Sequence, residues 1–212
     1  MRAGLHSRTV ALKAAPARPP SMHEEAAGRL RADDDLGPLV AEHGPLALDP
    51  AGDAFERLVV SILRQQVSMD AAAAIRERLF DRIEVSPDGV LAAEAETLTD
   101  AGLSAAKAEY VRDAARTFRA EGYDRAAFAE RTDEAVVEEL TGIRGVGPWT
   151  AKMFLMFALG RPDVFPVEDL GVRRGMETVV GDLSRAEMRD YAERWRPYRS
   201  YASLYLWRAY EG

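Results

Sequence analysis

Apolar residues recur at intervals of three and four through most of the 212-residue chain. This spacing places them on one face of an α-helix, because an α-helix has about 3.6 residues per turn. No run of alternating apolar and polar residues bounded by turn signals marks a half-buried β-strand. The hydrophobic pattern therefore predicts an all-α fold.

Capping residues locate the starts of the predicted helices. Asp53 is followed by Glu56 and by a long apolar pattern, which predicts one helix through residues 55–80. Pro87 directly after Ser86 predicts the next start, because proline at the first helical position gives up no hydrogen bond. Later helices are predicted from Ser104 to near Gly122, from Thr132 to Leu140, through residues 149–159, from Ser184 and through residues 197–210.

The composition limits the class of protein. Hydrophobic residues make up 47% of the chain and charged residues 30%, which is typical of a soluble protein without a membrane span. The absence of cysteine excludes disulfides, thiolate catalysis and cysteine-bound zinc or iron–sulfur centres. The three histidines are isolated near the N-terminus, so no catalytic metal is expected. We expect a cytoplasmic protein that requires no cofactor and contacts no membrane.

Charge is unevenly distributed along the chain. The formal net charge is -7, which argues against non-specific coating of nucleic acid, because such binding depends on Lys and Arg neutralising phosphates. From Gly142 onward there are 11 basic and 9 acidic residues, so this part is the better candidate for contact with a polyanion. An ordinary solvated surface is the alternative. Residues 1–22 contain no acidic residue and end near prolines, which predicts a disordered basic tail.

A cluster of glycines interrupts the helical pattern at residues 142–147. Gly145 and Gly147 have no side chain, so backbone N–H groups there can point into a common space and bind an anion. The helix that starts at Pro148 adds unsatisfied N–H groups and the positive end of its dipole, which favours a phosphate, and Thr150 can add a hydroxyl. A tight turn between two helices without any ligand is the alternative.

The residues around this turn resemble a known family. The string LTGIRGVGPWTA, residues 140–151, is similar to the helix-hairpin-helix element of a DNA repair glycosylase superfamily, in which an aspartate at a helix start follows the hairpin. Here Asp169 lies 22 positions after Gly147. Further likeness to DNA-3-methyladenine glycosylase II, the AlkA-like alkylation-repair branch, covers residues 62–75, 102–111 and 195–207.

The resemblance implies a two-lobed helix-hairpin-helix glycosylase fold without an N-terminal β domain. One lobe would comprise residues 53–163 and contain the hairpin, and the other would combine residues 23–52 with residues 164–212. The active-site cleft would lie between the lobes. The expected protein is a monomer that binds double-stranded DNA with alkylated bases.

The activity implied by the resemblance is that of a monofunctional DNA glycosylase in base excision repair. Such an enzyme flips an alkylated purine, of the 3-methyladenine or 7-methylguanine type, out of the duplex and hydrolyses its N-glycosidic bond. Asp169 would be the catalytic carboxylate, either stabilising the oxocarbenium-like sugar or orienting the attacking water. A plain helix cap is the alternative for Asp169, and the adjacent Glu168 is a rival carboxylate.

The resemblance also implies a base pocket. Trp149 stands where strand-cleaving relatives carry a nucleophilic lysine, so water rather than a Schiff base is expected. Trp149 and Trp207 would line the pocket with electron-rich indole faces that suit a cationic purine. Met153, where a tyrosine can occur, and Gln65, with its neighbour Gln66, complete the predicted pocket. Core packing of both tryptophans and a buried structural amide at Gln65 are the alternatives.

DNA contacts are expected at the hairpin and at one helix start. Ala105 stands where a bulky residue can fill the gap left by the flipped base, but Ser104, Ala105 and Ala106 are all small, so no wedge is assigned. A structural Na+ or K+ would bridge hairpin and phosphate. The predicted DNA-binding residues are Gly145, Val146, Gly147, Thr150, Ser104 and Ala105, and the predicted cation ligands are the backbone carbonyls of Thr141, Ile143 and Val146.

Two other functions remain open from the sequence. A non-catalytic helix-hairpin-helix DNA-binding protein would keep the glycine turn without a carboxylate in a pocket. A glycosylase for uracil, hypoxanthine or mispaired bases would have to help a neutral base to leave, so a requirement for a general acid would separate it from an enzyme for cationic purines.

Overall fold

The computed structural model describes residues 20–50 and 52–212, and all regular structure in these ranges is helical. This confirms the all-α fold. In the same ranges, no helix is long and apolar enough to cross a membrane. The α-helices are α1 (Met22–Leu30), α2 (Gly37–His43), α3 (Ala54–Leu63), α4 (Met69–Arg82), α5 (Pro87–Ala92), α6 (Ala95–Asp100), α7 (Ala105–Glu121), α8 (Asp133–Thr141), α9 (Pro148–Phe157), α10 (Leu170–Val179), α11 (Arg185–Ala192) and α12 (Arg199–Glu211), with short 3₁₀ turns at Ala126–Phe128 and Glu193–Trp195.

Side-chain caps start several helices where the sequence predicts them. Ser86, Ser104, Thr132 and Ser184 each accept a hydrogen bond from the backbone N–H three residues further on. Such a bond satisfies one of the donors that a helix leaves unpaired at its N-terminus. Gly122 closes α7 in the left-handed conformation, with φ of 63°.

The single helix predicted through residues 55–80 is wrong, because the chain forms two helices there. α3 ends at Leu63 and α4 begins at Met69, with residues 64–68 forming a connection that we call the α3–α4 loop. Gln66 in this loop has a φ of 55°, a left-handed conformation that an α-helix does not contain. The apolar spacing continues across the break, so periodicity alone does not reveal it.

The predicted basic tail lies outside the described residues as far as residue 19. Its predicted end at residue 22 is wrong, because Met22 is already the first residue of α1. Ser21 is the N-cap, and its backbone N–H donates to Glu24 Oε2 at 2.6 Å. This capping box starts the helix one residue before the predicted boundary.

Two groups of buried apolar side chains form separate cores. The first, which we call the hairpin core, is built from residues 54–164. The second, the terminal core, combines residues 26–40 with residues 165–206 and therefore joins distant parts of the chain. Leu48 and Trp207 each pack against both cores, so these two residues mark the junction between them.

Close packing of α10 against α12 depends on a glycine. A β-carbon built at Gly175 would lie 1.9 Å from the backbone carbonyl oxygen of Leu206, a distance that no side chain can occupy. The missing side chain therefore lets the two helix backbones touch. This contact brings Trp207, the next residue on α12, beside the first turn of α10.

Candidate active site

Asp169 lies at the N-terminus of α10 and accepts three hydrogen bonds. Its Oδ1 atom accepts from the backbone N–H of Val172 at 2.9 Å and from Trp207 Nε1 at 2.8 Å. Its Oδ2 atom accepts from Trp149 Nε1 at 2.8 Å. Because a carboxylate offers about four lone-pair positions, these bonds fix its orientation and leave room for one further donor.

The helix-cap alternative for Asp169 describes only one of these three bonds. The other two come from indole groups 20 and 38 residues away in sequence, on α9 and α12. A cap alone needs no such partners, since the bond to the first turn already satisfies the helix end. Asp169 is therefore both a cap and the point at which the hairpin helix meets the C-terminal helix.

The two predicted pocket tryptophans, Trp149 and Trp207, both direct their N–H edge at Asp169. Trp207 is also stacked on Phe157, with ring centroids 5.9 Å apart and ring planes 27° apart. Both indoles are partly buried and pack against the hairpin core. The core-packing alternative is thus partly correct for each ring, while the polar edges meet at one carboxylate.

Asp169 borders two cavities. The larger, of about 1370 Å³, is lined by the hairpin, the α3–α4 loop and Trp149, and we call it the hairpin groove. The smaller, of about 480 Å³, is lined by Trp207, Phe157 and residues 46–47, and we call it the Trp207 chamber. The residues that line both cavities are Arg64, Met69, Asp169, Gly171 and Tyr210.

The glycine turn presents free backbone donors to the hairpin groove. Within the described ranges, the amides of Gly145 and Gly147 have no hydrogen-bond acceptor, whereas Val146 N–H donates to Ile143 O at 3.0 Å. Gly145 has a φ of 85°, and a β-carbon there would lie 2.1 Å from the ring of Tyr110. The turn thus requires glycine at this position for both conformation and space.

Two predicted site residues, Gln65 and Thr150, are bonded to each other and to the hairpin. Gln65 Nε2 donates to Gly145 O and to Thr150 Oγ1, both at 2.9 Å. Thr150 is only 1% exposed, although it borders the hairpin groove, and its hydroxyl oxygen accepts the Gln65 bond. Gln65 lines the hairpin groove, but its amide donors are used, which favours the structural alternative over a base contact.

The expectation that Met153 lines the base pocket is wrong. Met153 is 3% exposed, belongs to the hairpin core and lines neither cavity. Helix α9 is apolar around most of its circumference, so most of its side chains after Trp149, Met153 among them, enter the core. Sequence spacing from Trp149 does not distinguish the pocket face of such a helix from its core face.

The helix start at Ser104 and Ala105 is exposed, as expected for a DNA contact, but only Ser104 lines the hairpin groove. Ser104 Oγ accepts from Lys107 N–H at 3.2 Å and so acts as a cap. Large exposed apolar side chains at the groove were missed from the sequence. They are Val67, Met69, Leu170 and Tyr210, with exposed fractions of 39%, 63%, 54% and 53%.

The rival carboxylate Glu168 is held by a lysine that the sequence did not single out. Lys152 Nζ lies 3.1 and 2.9 Å from the two carboxylate oxygens of Glu168 and donates to Phe165 O at 3.2 Å. Both side chains of the ion pair are about one quarter exposed or less. Of the two adjacent acids, only Asp169 is bonded to the indoles.

A second lysine anchors the α3–α4 loop. Lys107 Nζ donates to Leu63 O at 2.7 Å and to Gln65 O at 2.6 Å, so the ammonium group caps the C-terminal end of α3. Burial lowers the pKa of Lys107 from its usual value. Lys107 lies three residues after the helix cap Ser104, and nothing in this local sequence predicts its long-range bonds to the end of α3.

The predicted cation ligands belong to the same hairpin. The carbonyl of Ile143 already accepts the Val146 N–H, which leaves it one lone pair for an ion. The carbonyl oxygens of Thr141, Ile143 and Val146 have the chemistry that Na+ or K+ requires. Across residues 20–50 and 52–212, no cluster of three or more acidic or histidine side chains could hold a metal ion.

Comparison with known proteins identifies relatives over most of the chain. A putative DNA-3-methyladenine glycosylase of Bacillus subtilis is 32% identical over 190 residues, which cover 83% of this chain and 66% of that protein. A DNA-3-methyladenine glycosylase of Saccharomyces cerevisiae is 36% identical over 153 residues, which cover 67% of this chain and 52% of that protein. The matches thus span between about half and two thirds of the length of these relatives.

The fold is similar to that of a solved structure bound to DNA. The 3-methyladenine DNA glycosylase Mag1 of Schizosaccharomyces pombe, in complex with abasic DNA, superposes with a TM-score of 0.81 at 26% identity, covering 87% of this chain and 95% of that chain. The family model described as HhH-GPD superfamily base excision DNA repair protein matches residues 59–197. These findings confirm the resemblance found around the glycine turn: the chain belongs to the HhH-GPD superfamily of base excision DNA repair proteins.

Proposed function

We propose that this protein is a monofunctional DNA glycosylase that flips out alkylated purines, of the 3-methyladenine and 7-methylguanine type, and hydrolyses their N-glycosidic bonds. The observation that carries the proposal is the Asp169 carboxylate, held by the N–H groups of Trp149 and Trp207 between the hairpin groove and the Trp207 chamber. The names of the relatives, DNA-3-methyladenine glycosylases, support the substrate class.

The two cavities divide the work of binding. The duplex runs along the hairpin groove, where the free amides of Gly145 and Gly147 bind a backbone phosphate. The flipped base enters the Trp207 chamber, whose volume of about 480 Å³ lies within the usual range for a small-ligand site. Asp169 borders both cavities and therefore lies where the sugar connects the base to the DNA strand.

Asp169 acts on the sugar. A purine alkylated on a ring nitrogen is already cationic, so the electron pair of the C1′–N bond leaves with a base that becomes neutral and needs no protonation. The carboxylate stabilises the positive charge that develops on the sugar. Its remaining lone pair accepts a hydrogen bond from a water molecule, which adds to C1′ and loses its proton to the carboxylate or to solvent.

The nucleophile is water because, within the described residues, both lysines near the hairpin already have partners, Lys107 in backbone carbonyls and Lys152 in Glu168. Trp149 occupies the position of the lysine in strand-cleaving relatives, and the nearby Lys152 is held by Glu168. Schiff-base chemistry requires an unprotonated amine that can reach C1′. The product is therefore an abasic site in an uncut strand.

The remaining expectations belong to the same proposal. The protein acts as a monomer on double-stranded DNA in the cytoplasm, and residues 53–163 and the combined segments 23–52 and 164–212 form its two lobes. A Na+ or K+ ion at the carbonyls of Thr141, Ile143 and Val146 supplies positive charge to the bound phosphate. At this ion site, the protein contributes the hairpin turn, which orients the three carbonyl groups.

Base release from methylated duplex DNA tests the proposal. Free 3-methyladenine and 7-methylguanine are measured for the unmodified protein and for Asp169→Asn, with strand breaks measured separately. Asn retains a side-chain oxygen for the cap but loses the negative charge, so release is expected to fall by about a hundredfold or more. Neither protein is expected to cut the strand.

Glu168→Gln tests the rival carboxylate, because it removes the neighbouring charge without touching the indole-bound carboxylate. Since it also releases Lys152 from its ion pair, strand breaks are measured for this variant too. It is expected to keep release within a few-fold of the unmodified protein. DNA binding without release of any alkylated base would favour the non-catalytic DNA-binding alternative. Equal losses in Asp169→Asn and Glu168→Gln would contradict the assignment of the catalytic carboxylate.

A further inference from the structure

The four residues before Asp169, which we call the pre-Asp169 segment, lie between α9 and α10 and are held by hydrogen bonds along their backbone. Phe165 O accepts from Val167 N–H at 3.1 Å, and Pro166 O accepts from Asp169 N–H at 2.8 Å. The carbonyl groups of the two residues that follow Pro166 accept from a side chain instead. Every carbonyl of the segment therefore has a donor.

Arg173 holds the pre-Asp169 segment to α10. Its Nη1 atom donates to Val167 O at 3.2 Å and to Glu168 O at 2.7 Å. Arg173 belongs to the helix that Asp169 caps, so these bonds fix the segment to its own helix. They do not fix it relative to α9, which carries Trp149.

Lys152 links the same segment to α9. Its Nζ atom donates to Phe165 O at 3.2 Å and lies 3.1 and 2.9 Å from the two carboxylate oxygens of Glu168. Helix α9 packs in the hairpin core, whereas Phe165 and Val167 belong to the terminal core. The contacts of Lys152 therefore cross from one core to the other, and the charge of the ammonium group strengthens them.

Lys152 reaches the segment from the side that faces away from the hairpin groove. It lines a third cavity, of about 650 Å³, which shares no lining residue with the hairpin groove or the Trp207 chamber. Lys152 is thus not part of the surfaces on which we place the duplex and the flipped base. Its influence on the reaction has to pass through the pre-Asp169 segment.

Two different links then join α9 to Asp169. Trp149 donates to Oδ2 of the carboxylate at 2.8 Å, and Lys152, three residues later on the same helix, holds the backbone that precedes Asp169. A bond to the side chain alone leaves the backbone of Asp169 free to shift. The second link restrains that shift, and a displacement of about one ångström in a catalytic group is enough to slow a reaction strongly.

We infer that Lys152 is a positioning residue for Asp169, which ties the pre-Asp169 segment to α9 and so sets the distance between the carboxylate and the bound sugar. The inference rests on the proposed glycosylase function. Because Lys152 contacts neither base nor DNA in this arrangement, its loss slows cleavage of the glycosidic bond and leaves DNA affinity within a few-fold.

Single-turnover release of 7-methylguanine, with protein in saturating excess over methylated duplex DNA, measures bond cleavage apart from DNA affinity. The test variant combines Lys152→Met with Glu168→Gln, because the two changes together leave no unpaired charge behind. Its rate is expected to be about tenfold or more below that of Glu168→Gln alone. In Glu168→Gln the amide oxygen can still accept from Lys152, so the link to α9 persists.

Two further variants complete the comparison. Lys152→Arg keeps the positive charge and the N–H donors, so it is expected to recover most of the rate. Arg174→Met is the control, since it also removes one positive charge, but Arg174 pairs with Glu177 and lines none of the three cavities. Its rate is expected to be unchanged. Fluorescence anisotropy measures the DNA affinity of every variant.

Hydrogen exchange detects the link without any activity. The amides of Val167 and Asp169 donate to carbonyls of the pre-Asp169 segment, so they are expected to exchange faster in the combined variant than in Glu168→Gln. Arg174→Met is expected to leave their exchange unchanged. Thermal unfolding confirms that each comparison concerns folded protein.

The outcomes separate the inference from the function on which it rests. A combined variant with the rate of Glu168→Gln would mean that Lys152 only neutralises Glu168, and would overturn the inference. A loss of DNA affinity as large as the loss of rate would assign Lys152 to the DNA interface and overturn it as well. No release of 7-methylguanine by the unmodified protein would contradict the proposed function instead, and hydrogen exchange would then decide whether the link exists.

Discussion

Gly171 lies directly against the indole of Trp207. A β-carbon built at Gly171 would be 2.7 Å from Trp207 Cδ1 and 3.0 Å from Nε1, and also 3.2 Å from Asp169 Oδ1. The hydrogen bond between Trp207 and Asp169 therefore exists because position 171 carries no side chain. This glycine sets the geometry of the proposed active site without any chemical group of its own.

Gly171→Ala is expected to displace the Trp207 indole and break its bond to Asp169. Base release should fall by about tenfold or more, since misplacement of a positioned group by a fraction of an ångström to one ångström is costly in catalysis. Base-release rates and tryptophan fluorescence measure the two effects. Gly28→Ala on α1 is the control, because nothing lies within 4 Å of the added carbon, and wild-type rates are expected there.

Gly175→Ala is expected to destabilise the fold by about 1–3 kcal/mol or more, because overpacking here meets backbone and not a movable side chain. The clash is with the carbonyl oxygen of Leu206, at 1.9 Å. Urea unfolding measures the change. A variant as stable as the unmodified protein would mean that α10 and α12 are not in contact through this residue.

Substitution of the two hairpin glycines separates folding from DNA binding. Gly145→Ala forces a side chain into a positive φ and into the ring of Tyr110, so both stability and DNA affinity are expected to fall. At Gly147 the added carbon meets nothing within 4 Å, so Gly147→Ala should fold normally and lose DNA affinity only. Fluorescence anisotropy with duplex DNA and thermal unfolding measure these effects. Unchanged affinity in Gly147→Ala would contradict close approach of a phosphate to the turn.

Lys107→Met is expected to lower the free energy of unfolding by roughly 1–2 kcal/mol, because two bonds to the carbonyls of Leu63 and Gln65 are lost at a partly exposed site. The α3–α4 loop should also become more mobile. Urea unfolding and hydrogen exchange of the loop amides measure the two effects. Normal protection of those amides would contradict the anchoring role.

The same lysine gives a pH dependence of known sign. Burial lowers the pKa of Lys107 below the 10.5 of a free lysine, so at pH values between the lowered pKa and 10.5 the unfolded chain binds more protons than the folded one. The wild type is therefore expected to gain stability relative to Lys107→Met as pH rises through that interval. Below the lowered pKa, the stability difference between the two proteins should not vary with pH.

Local signals in the sequence predict much of the fold. The caps at Ser86, Ser104, Thr132 and Ser184 lie where expected because each depends only on its neighbours three residues away. The break in the helix predicted through residues 55–80 was missed. Its local signal was present, since Ser68 caps α4, but the uninterrupted apolar spacing obscured it.

The site is only partly predictable. Asp169, Trp149 and Trp207 follow from the resemblance, yet their mutual hydrogen bonds depend on the close approach of α10 and α12, which is a property of the packed molecule. Lys107 has no distinctive sequence context, because its significance lies in bonds to the end of α3 that form only after folding. Met153 was assigned to the base pocket for the same reason, because its burial in the hairpin core becomes visible only after folding.

The two cores are completed at different stages of translation, because the terminal core joins segments that are far apart in the sequence. The hairpin core comes from one continuous segment, so it can form as soon as residues 54–164 have left the ribosome. The terminal core must wait for α12, because residues 26–40 close over partners as late as Leu206. Trp207 follows directly, so the proposed catalytic carboxylate obtains its second indole partner only after the whole hairpin core has been synthesised. A nascent chain would thus carry a finished hairpin before it carries a finished active site.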